Sequence, residues 1–174
     1  TWEQVVKKLP DDINVVIVDL LGFGDSPVPD WAAYDAKTQA HALAKTLLLL
    51  GVRQRVTLVG HSMGSLIAVE FAKLFPLAVS SLVLCSPPLY KKSNIASTGL
   101  RRVEHDELLR RLYEFATRED KNIARIAQLS ARTGFKTPEF DISKVNAGSY
   151  KAALRGSIIN QTTMDDIVKL PHQI

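Results

Sequence analysis

Thr57-Leu58-Val59-Gly60-His61-Ser62-Met63-Gly64-Ser65-Leu66-Ile67-Ala68 is the stretch on which the reading of this chain turns. Arg55–Val59 reads as a strand, Gly60–Gly64 as a turn, and the following apolar residues as a helix running through Phe75 to Pro76. Gly-x-Ser-x-Gly is a common pattern, and its position between a strand and a helix is what makes it informative. Such a turn holds its middle residue in a strained conformation, with the side chain exposed above the sheet. The helix that starts there aims backbone N–H groups and the positive end of its dipole at the same point. Ser62 is thereby placed to attack a carbonyl, and the Met63 N–H to bind the resulting oxyanion. Gly60 and Gly64 are expected where a side chain would collide with a neighbouring strand or helix. The plainer alternative is an ordinary strand–turn–helix with Ser62 as a cap.

Outward from this stretch, the β-branched run Ile13-Asn14-Val15-Val16-Ile17-Val18 predicts a strand covered on both faces of a parallel sheet. A loop rich in Gly, Pro and Asp occupies residues 21–30. Residues 35–50 predict a helix, with Asp35 at its start and Gly51 at its end. Leu82-Val83-Leu84-Cys85 predicts a further strand, stopped by Pro87-Pro88. The order β-α-β-α-β argues for an α/β fold with a parallel sheet. Residues 1–9 read as a short helix with capping-box spacing at Thr1 and Gln4. A cap at the first residue looks like a cut made in mid-fold. From residue 89 to 168 strand-like runs give way to helical spacing, with Leu109, Leu112, Tyr113 and Ala116 on one face and Ala152–Ile159 as a later helix.

With both stretches in view, the sequence resembles the α/β-hydrolase family over nearly its whole length. Asp19-Leu20-Leu21-Gly22-Phe23-Gly24-Asp25-Ser26 is similar to the family's Asp-x-x-Gly-x-Gly-x-Ser loop, with Leu21 in place of the usual Arg. The resemblance implies a partial sheet core over residues 1–88 that carries the nucleophile elbow. It also implies an all-helical cap inserted over 89–168, and a return towards the core at 169–174. Asp19 is expected to accept hydrogen bonds from backbone amides, and Asp165 and Asp166 to lie in a helical turn ahead of the next strand. In the family, part of the oxyanion hole comes from a loop upstream of the helix placed at 1–9. The acid and the His come from later strands, so both are expected beyond Ile174.

Residues within the chain do not supply them. A general base must reach to about 3 Å from the serine oxygen. His61 precedes the nucleophile and should point away from it, as a packing residue. His41 is mid-helix, His105 sits among Glu104, Asp106 and Glu107, and His172 is near the end of the chain. The residues after the Cys85 strand, Ser86-Pro87-Pro88-Leu89-Tyr90, contain no carboxylate.

Composition excludes other classes. The chain has 174 residues, 46% hydrophobic and 23% charged, in the range of an ordinary globular domain. Its excess of 22 Lys and Arg over 18 Asp and Glu is slight and interleaved, which argues against a nucleic-acid partner. The single Cys85 rules out an internal disulfide or a cysteine-built metal site, and is expected to be a small buried hydrophobe. Four unclustered His give no metal site, and no cofactor motif is present: Gly22-Phe23-Gly24 lacks the third glycine of a dinucleotide fingerprint. No apolar run is long enough to span a membrane. With one cysteine and no visible targeting segment, the expected location is cytoplasmic.

The resemblance therefore implies a serine hydrolase acting on a small-molecule carboxylic ester or related acyl substrate, without cofactor or metal. Its motif is shared by carbon–carbon bond hydrolases and haloperoxidase-like enzymes. Readings from other classes are a non-catalytic ligand-binding protein on this scaffold, and an inactive fragment.

Overall fold

Val56–His61 (β1) and Val79–Cys85 (β2) pair in parallel, and the helix that joins them, Met63–Leu74 (α3), packs on both. The computed structural model describes residues 2–89 and 146–170, with the positions of Arg111, Glu114 and Arg118 in addition. The ladder runs from Thr57 opposite Ser81 to His61 opposite Cys85, with an irregularity between Val56 and Thr57. Beside that irregularity, the Arg55 guanidinium donates to the Val79 carbonyl at 2.8 Å.

α3 is apolar on nearly every side because it is enclosed on nearly every side. Ser65 to Val69, Phe71 and Ala72 are all buried. Ala36–Leu49 (α2) lies against it, and Ala40, Phe71, Ala72 and Val79 form the centre of the main core, with Leu43, Leu47, Leu58 and Leu82 around them. The ends of α2 fall where the sequence places them. The Asp35 carboxylate accepts the Thr38 N–H at 2.7 Å, and Gly51 follows the last turn with φ +72°.

After the gap in the described residues, Ala147–Ala153 (α4) begins at Asn146, whose side chain accepts from the Gly148 and Ser149 amides. It continues as a π-helical stretch, Leu154–Ile159, and then as Thr163–Ile167 (α5). Leu154 and Ile158 pack on Leu66, so this part of the chain lies directly on α3.

Several expectations need correction. Ile13–Val18 is not a strand among the described residues. It has no ladder partner there, and Ile13, Val15, Val16 and Ile17 remain well exposed. A β-branched run supplies the propensity for a strand, but neighbouring strands must supply the hydrogen bonds. The first helix (α1) is shorter than expected, Glu3–Val6, with Trp2 at its N-cap, and Thr1 of the expected capping box lies outside the described residues. Cys85 is partly exposed rather than buried, because it ends its strand at the rim of the sheet. The larger part of the helical stretch expected over 89–168, and most of 169–174, lies outside the described residues.

Candidate active site

The elbow is built from the two strand ends and the first turn of α3. Ser62 follows β1 with φ +52° and ψ −124°, a backbone conformation that costs a residue with a side chain of the order of 1–3 kcal/mol. Three backbone or side-chain bonds hold it. The Ser62 N–H donates to the Cys85 carbonyl at 2.9 Å, the Ser65 N–H donates to the Ser62 carbonyl at 3.0 Å, and the Ser65 hydroxyl donates to the Gly60 carbonyl at 2.8 Å. Although Ser62 occupies the N-cap position of α3, its side chain makes no capping bond. The structure thus departs from the plain helix-cap alternative, in which the Ser62 oxygen would satisfy an amide of the first turn. Met63 is the first residue of α3, and its N–H is among the amides that have no acceptor within the helix.

The two glycines of the motif differ. A Cβ on Gly60 would stand 2.5 Å from the Gly64 carbonyl oxygen and 2.7 Å from the Ser65 Cα, so only glycine fits. A Cβ on Gly64 would meet nothing within 4 Å among the described residues. Among the described residues nothing meets the Gly64 side-chain position, and the tight approach is made by the Gly64 backbone against the Cβ side of Gly60.

The loop after Asp19 forms the wall beside the elbow. The Asp19 carboxylate accepts the Asp25 N–H at 3.0 Å, as expected of a structural acceptor, and the Ser26 hydroxyl donates to the Asp19 carbonyl at 2.7 Å. Leu21 and Phe23 from this loop pack against a buried cluster of Ala32, Tyr34 and Ala153, and the Met63 side chain packs against the same cluster. Met63 also touches the Leu66–Leu154–Ile158 cluster, so its side chain is anchored between the loop and α4 while its amide lies at the elbow. Sequence reasoning missed three residues of this support. Gln39, buried on α2, accepts the Leu21 N–H at 2.9 Å and donates to the Leu21 carbonyl at 2.8 Å. Ser149 on α4 donates to the Gly22 carbonyl at 2.8 Å. Ser65 is the third.

Of the histidines, His61 is exposed, and His41 packs edge-on against Phe75 with ring centroids 5.5 Å apart. His105 and His172 lie outside the described residues. A cavity of about 170 Å³ lies along α3 between Leu66, Glu70, Lys73, Ser157 and Asp166, but Ser62 and Met63 are not in its walls. At its edge Lys73 pairs with Glu70 at 2.6 Å and Asp166 at 3.0 Å. Partial burial disfavours the charge on both Lys73 and Asp166, yet their mutual bond outweighs it, together with Glu70 for Lys73 and the Thr162 hydroxyl for Asp166. The Lys73 pKa is raised and the Asp166 pKa lowered. Among the described residues no group of three His, Cys, Asp or Glu side chains could hold a metal ion, and no helix is long and apolar enough to cross a membrane.

With this geometry in place, comparison with known proteins decides the family. The model of the alpha/beta hydrolase fold matches residues 1–167. The chain belongs to the α/β-hydrolase fold family. Its α/β fold, a partial core of parallel sheet and helices, is the one that the two motifs imply. This α/β-hydrolase chain is 41% identical over 86 residues to an uncharacterized protein of Mycobacterium tuberculosis, a match covering 49% of the chain and 25% of that protein. It is 37% identical over 98 residues to a probable lysophospholipase, BODYGUARD 5, of Arabidopsis thaliana, covering 53% of the chain and 22% of the relative. A putative carbamate hydrolase of Cronobacter sakazakii is 36% identical over 83 residues, covering 48% and 31%. These matches thus span about a quarter of the relatives' length. Among solved structures, a bromoperoxidase from Bacillus anthracis superposes with a TM-score of 0.63 at 20% identity, over 87% of this chain and 58% of that one, a likeness of fold.

Proposed function

We propose that the complete protein is a serine hydrolase that cleaves a carboxylic ester or a related acyl compound. Ser62 is the nucleophile. Its oxygen attacks the acyl carbonyl, and the Met63 N–H with an amide from upstream of this chain receives the negative charge of the tetrahedral intermediate. A His, oriented by an acid and supplied with it by residues following Ile174, takes the Ser62 proton and delivers it to the leaving group. The same His then activates water, which releases the acid product and frees Ser62. The helical spacing of residues 89–168 supports a cap over this site. The reaction draws on no cofactor.

One observation carries the reading: Ser62 sits at φ +52° between strand and helix, with its hydroxyl uncommitted to capping. Strain of this kind persists where the surroundings over-determine it, and it concentrates at functional sites. The relatives named as a probable lysophospholipase and a putative carbamate hydrolase support hydrolysis as the reaction class.

The test is a fluorophosphonate probe on the full-length protein, followed by turnover of a simple aryl ester. Ser62 should carry the label, and Ser62→Ala should lose both label and turnover. What remains should be at most the roughly 10³–10⁴-fold over water that binding and oxyanion contacts give without a nucleophile. An unlabelled wild type would point instead to a ligand-binding protein on this scaffold. Turnover by Ser62→Ala within a few-fold of wild type would remove Ser62 from the mechanism.

A further inference from the structure

Ser65 is fully enclosed one turn into α3, and its two donors clamp both ends of the elbow. The backbone N–H reaches the Ser62 carbonyl at 3.0 Å, and the hydroxyl reaches back five residues to the Gly60 carbonyl at 2.8 Å. The same hydroxyl oxygen lies 3.3 Å from the Cys85 carbonyl, which is the group that accepts the Ser62 N–H at 2.9 Å. A hydroxyl has one hydrogen, so the short bond to Gly60 takes it at full strength and the longer contact is secondary. The result ties the end of β1, the end of β2 and the first turn of α3 through one oxygen, directly beneath the residue at φ +52°. A serine here is not explained by solvent, which does not reach it, nor by capping, since Ser62 holds the N-cap position.

We infer that Ser65 is a positioning residue for Ser62. Its hydroxyl holds Gly60 and Cys85 against the start of α3, which fixes the direction of the Ser62 side chain and of the Met63 N–H together. This rests on the reading of Ser62 as the nucleophile. A merely structural Ser65 would affect how easily the protein melts but not how fast the folded protein reacts.

The experiment measures phosphonylation of the full-length protein against fluorophosphonate concentration, separating the maximal rate from the half-saturating concentration. Wild type, Ser65→Ala and Ser65→Cys are compared at a temperature where circular dichroism shows all three folded. Misplacing a reacting group by a fraction of an ångström to an ångström costs up to about a hundredfold. Ser65→Ala should therefore lower the maximal rate on the order of ten- to a hundredfold, with half-saturation shifted by less than about twofold. Ser65→Cys keeps a weak donor and should fall between. A Ser65→Ala maximal rate within about twofold of wild type overturns the inference, whatever the melting temperature does. Should Ser65→Ala not fold, Ser65→Cys decides: a rate at least about threefold down supports the inference, and an unchanged rate overturns it. A wild type that does not label overturns the reading of Ser62 and takes this inference with it. A labelled wild type with unaffected Ser65 variants overturns this inference alone.

Discussion

The Ser62 backbone N–H is spent on the Cys85 carbonyl, 2.9 Å away on the neighbouring strand. This bond continues the parallel ladder one step beyond the His61–Cys85 pair. It holds the candidate nucleophile to the sheet at the point where the chain leaves it for α3. It also commits the Ser62 amide to the sheet, so in the proposed reaction the oxyanion donor from the elbow is the Met63 amide, the next residue along. Ser86, which follows Cys85, itself has φ +47°, so both chains turn sharply where these strands end.

Gly60 and Gly64 should respond oppositely to alanine. Gly60→Ala drives a methyl into backbone atoms of Gly64 and Ser65 and should destabilise by about 3 kcal/mol, with loss of probe labelling. Gly64→Ala meets nothing among the described residues and sits in a helix, so it should hold or raise stability by about 0.5–1 kcal/mol. Urea denaturation of the two variants checks this, and equal destabilisation would contradict the described elbow.

Gln39→Leu keeps the bulk on α2 but leaves both the Leu21 N–H and carbonyl without their partner. The expected cost is about 2–4 kcal/mol, since each enclosed polar group left unmet costs about 1–3 kcal/mol. Gln39→Glu keeps only the acceptor and sets a buried carboxylate against the Leu21 carbonyl, so it should lose at least as much. Equilibrium unfolding of the pair distinguishes the clasp from simple packing.

Gly22→Ala should be severe for two reasons. The residue has φ +83°, and a Cβ would stand 2.5 Å from the Tyr34 ring and 2.7 Å from the Ser149 Cβ. Ser149→Ala removes the bond from α4 to the Gly22 carbonyl and should cost about 1 kcal/mol. The double variant should cost less than the sum of the two, because Ser149→Ala acts on a contact already displaced. Additive costs would show that α4 and the loop do not share this contact.

The Lys73–Asp166 pair sets a small dependence on pH. Asp166 has a lowered pKa in the folded protein, so its contribution is present above the usual carboxylate range and is lost as acid brings the pH down through the lowered value. Lys73 has a raised pKa, so its contribution is present below the usual lysine range and fades as alkali passes the raised value. With Lys73 39% exposed, the effect should not exceed about 1 kcal/mol. Lys73→Met should flatten the acid limb of stability measured by denaturant titration across pH, and an unaltered limb would remove the pair from consideration.

How much of this was legible in the sequence follows from the range of each interaction. The Asp35 cap and the Asp19 turn are closed by residues within seven positions of one another, and the elbow is announced by its Gly-x-Ser-x-Gly pattern although the Cys85 carbonyl that anchors it lies on another strand. Ile13–Val18 has the composition of a strand, but a ladder is made by remote chain, which composition does not encode. Gln39 reads as a polar residue on an amphipathic helix. Its burial depends on a loop 18 residues earlier folding back over it. Ser65 reads as a small residue after a glycine, and its role emerges only once the ends of two strands are side by side. The motif does not say which of its two glycines presents its missing side chain to the crowded side; among the described residues it is Gly60.

The π-helical stretch Leu154–Ile159, closed at its end by the Asn160 N–H to the Arg155 carbonyl at 3.1 Å, sets the phase of everything after it. One extra residue is wound into that turn relative to an α-helix. Removing a single residue there would let the turn relax to α-helical geometry with little rotation of the downstream chain, because the turn already absorbs the extra residue. Removing a second residue, with no bulge left to absorb it, would rotate that chain by about 100°, swinging Gln161 away from the Pro88 carbonyl, which it now reaches at 2.7 Å, and Asp166 away from Lys73. This segment should therefore tolerate the loss of one residue but not of two, and a two-residue deletion should erase the acid dependence of the Lys73–Asp166 pair even though neither residue has been altered.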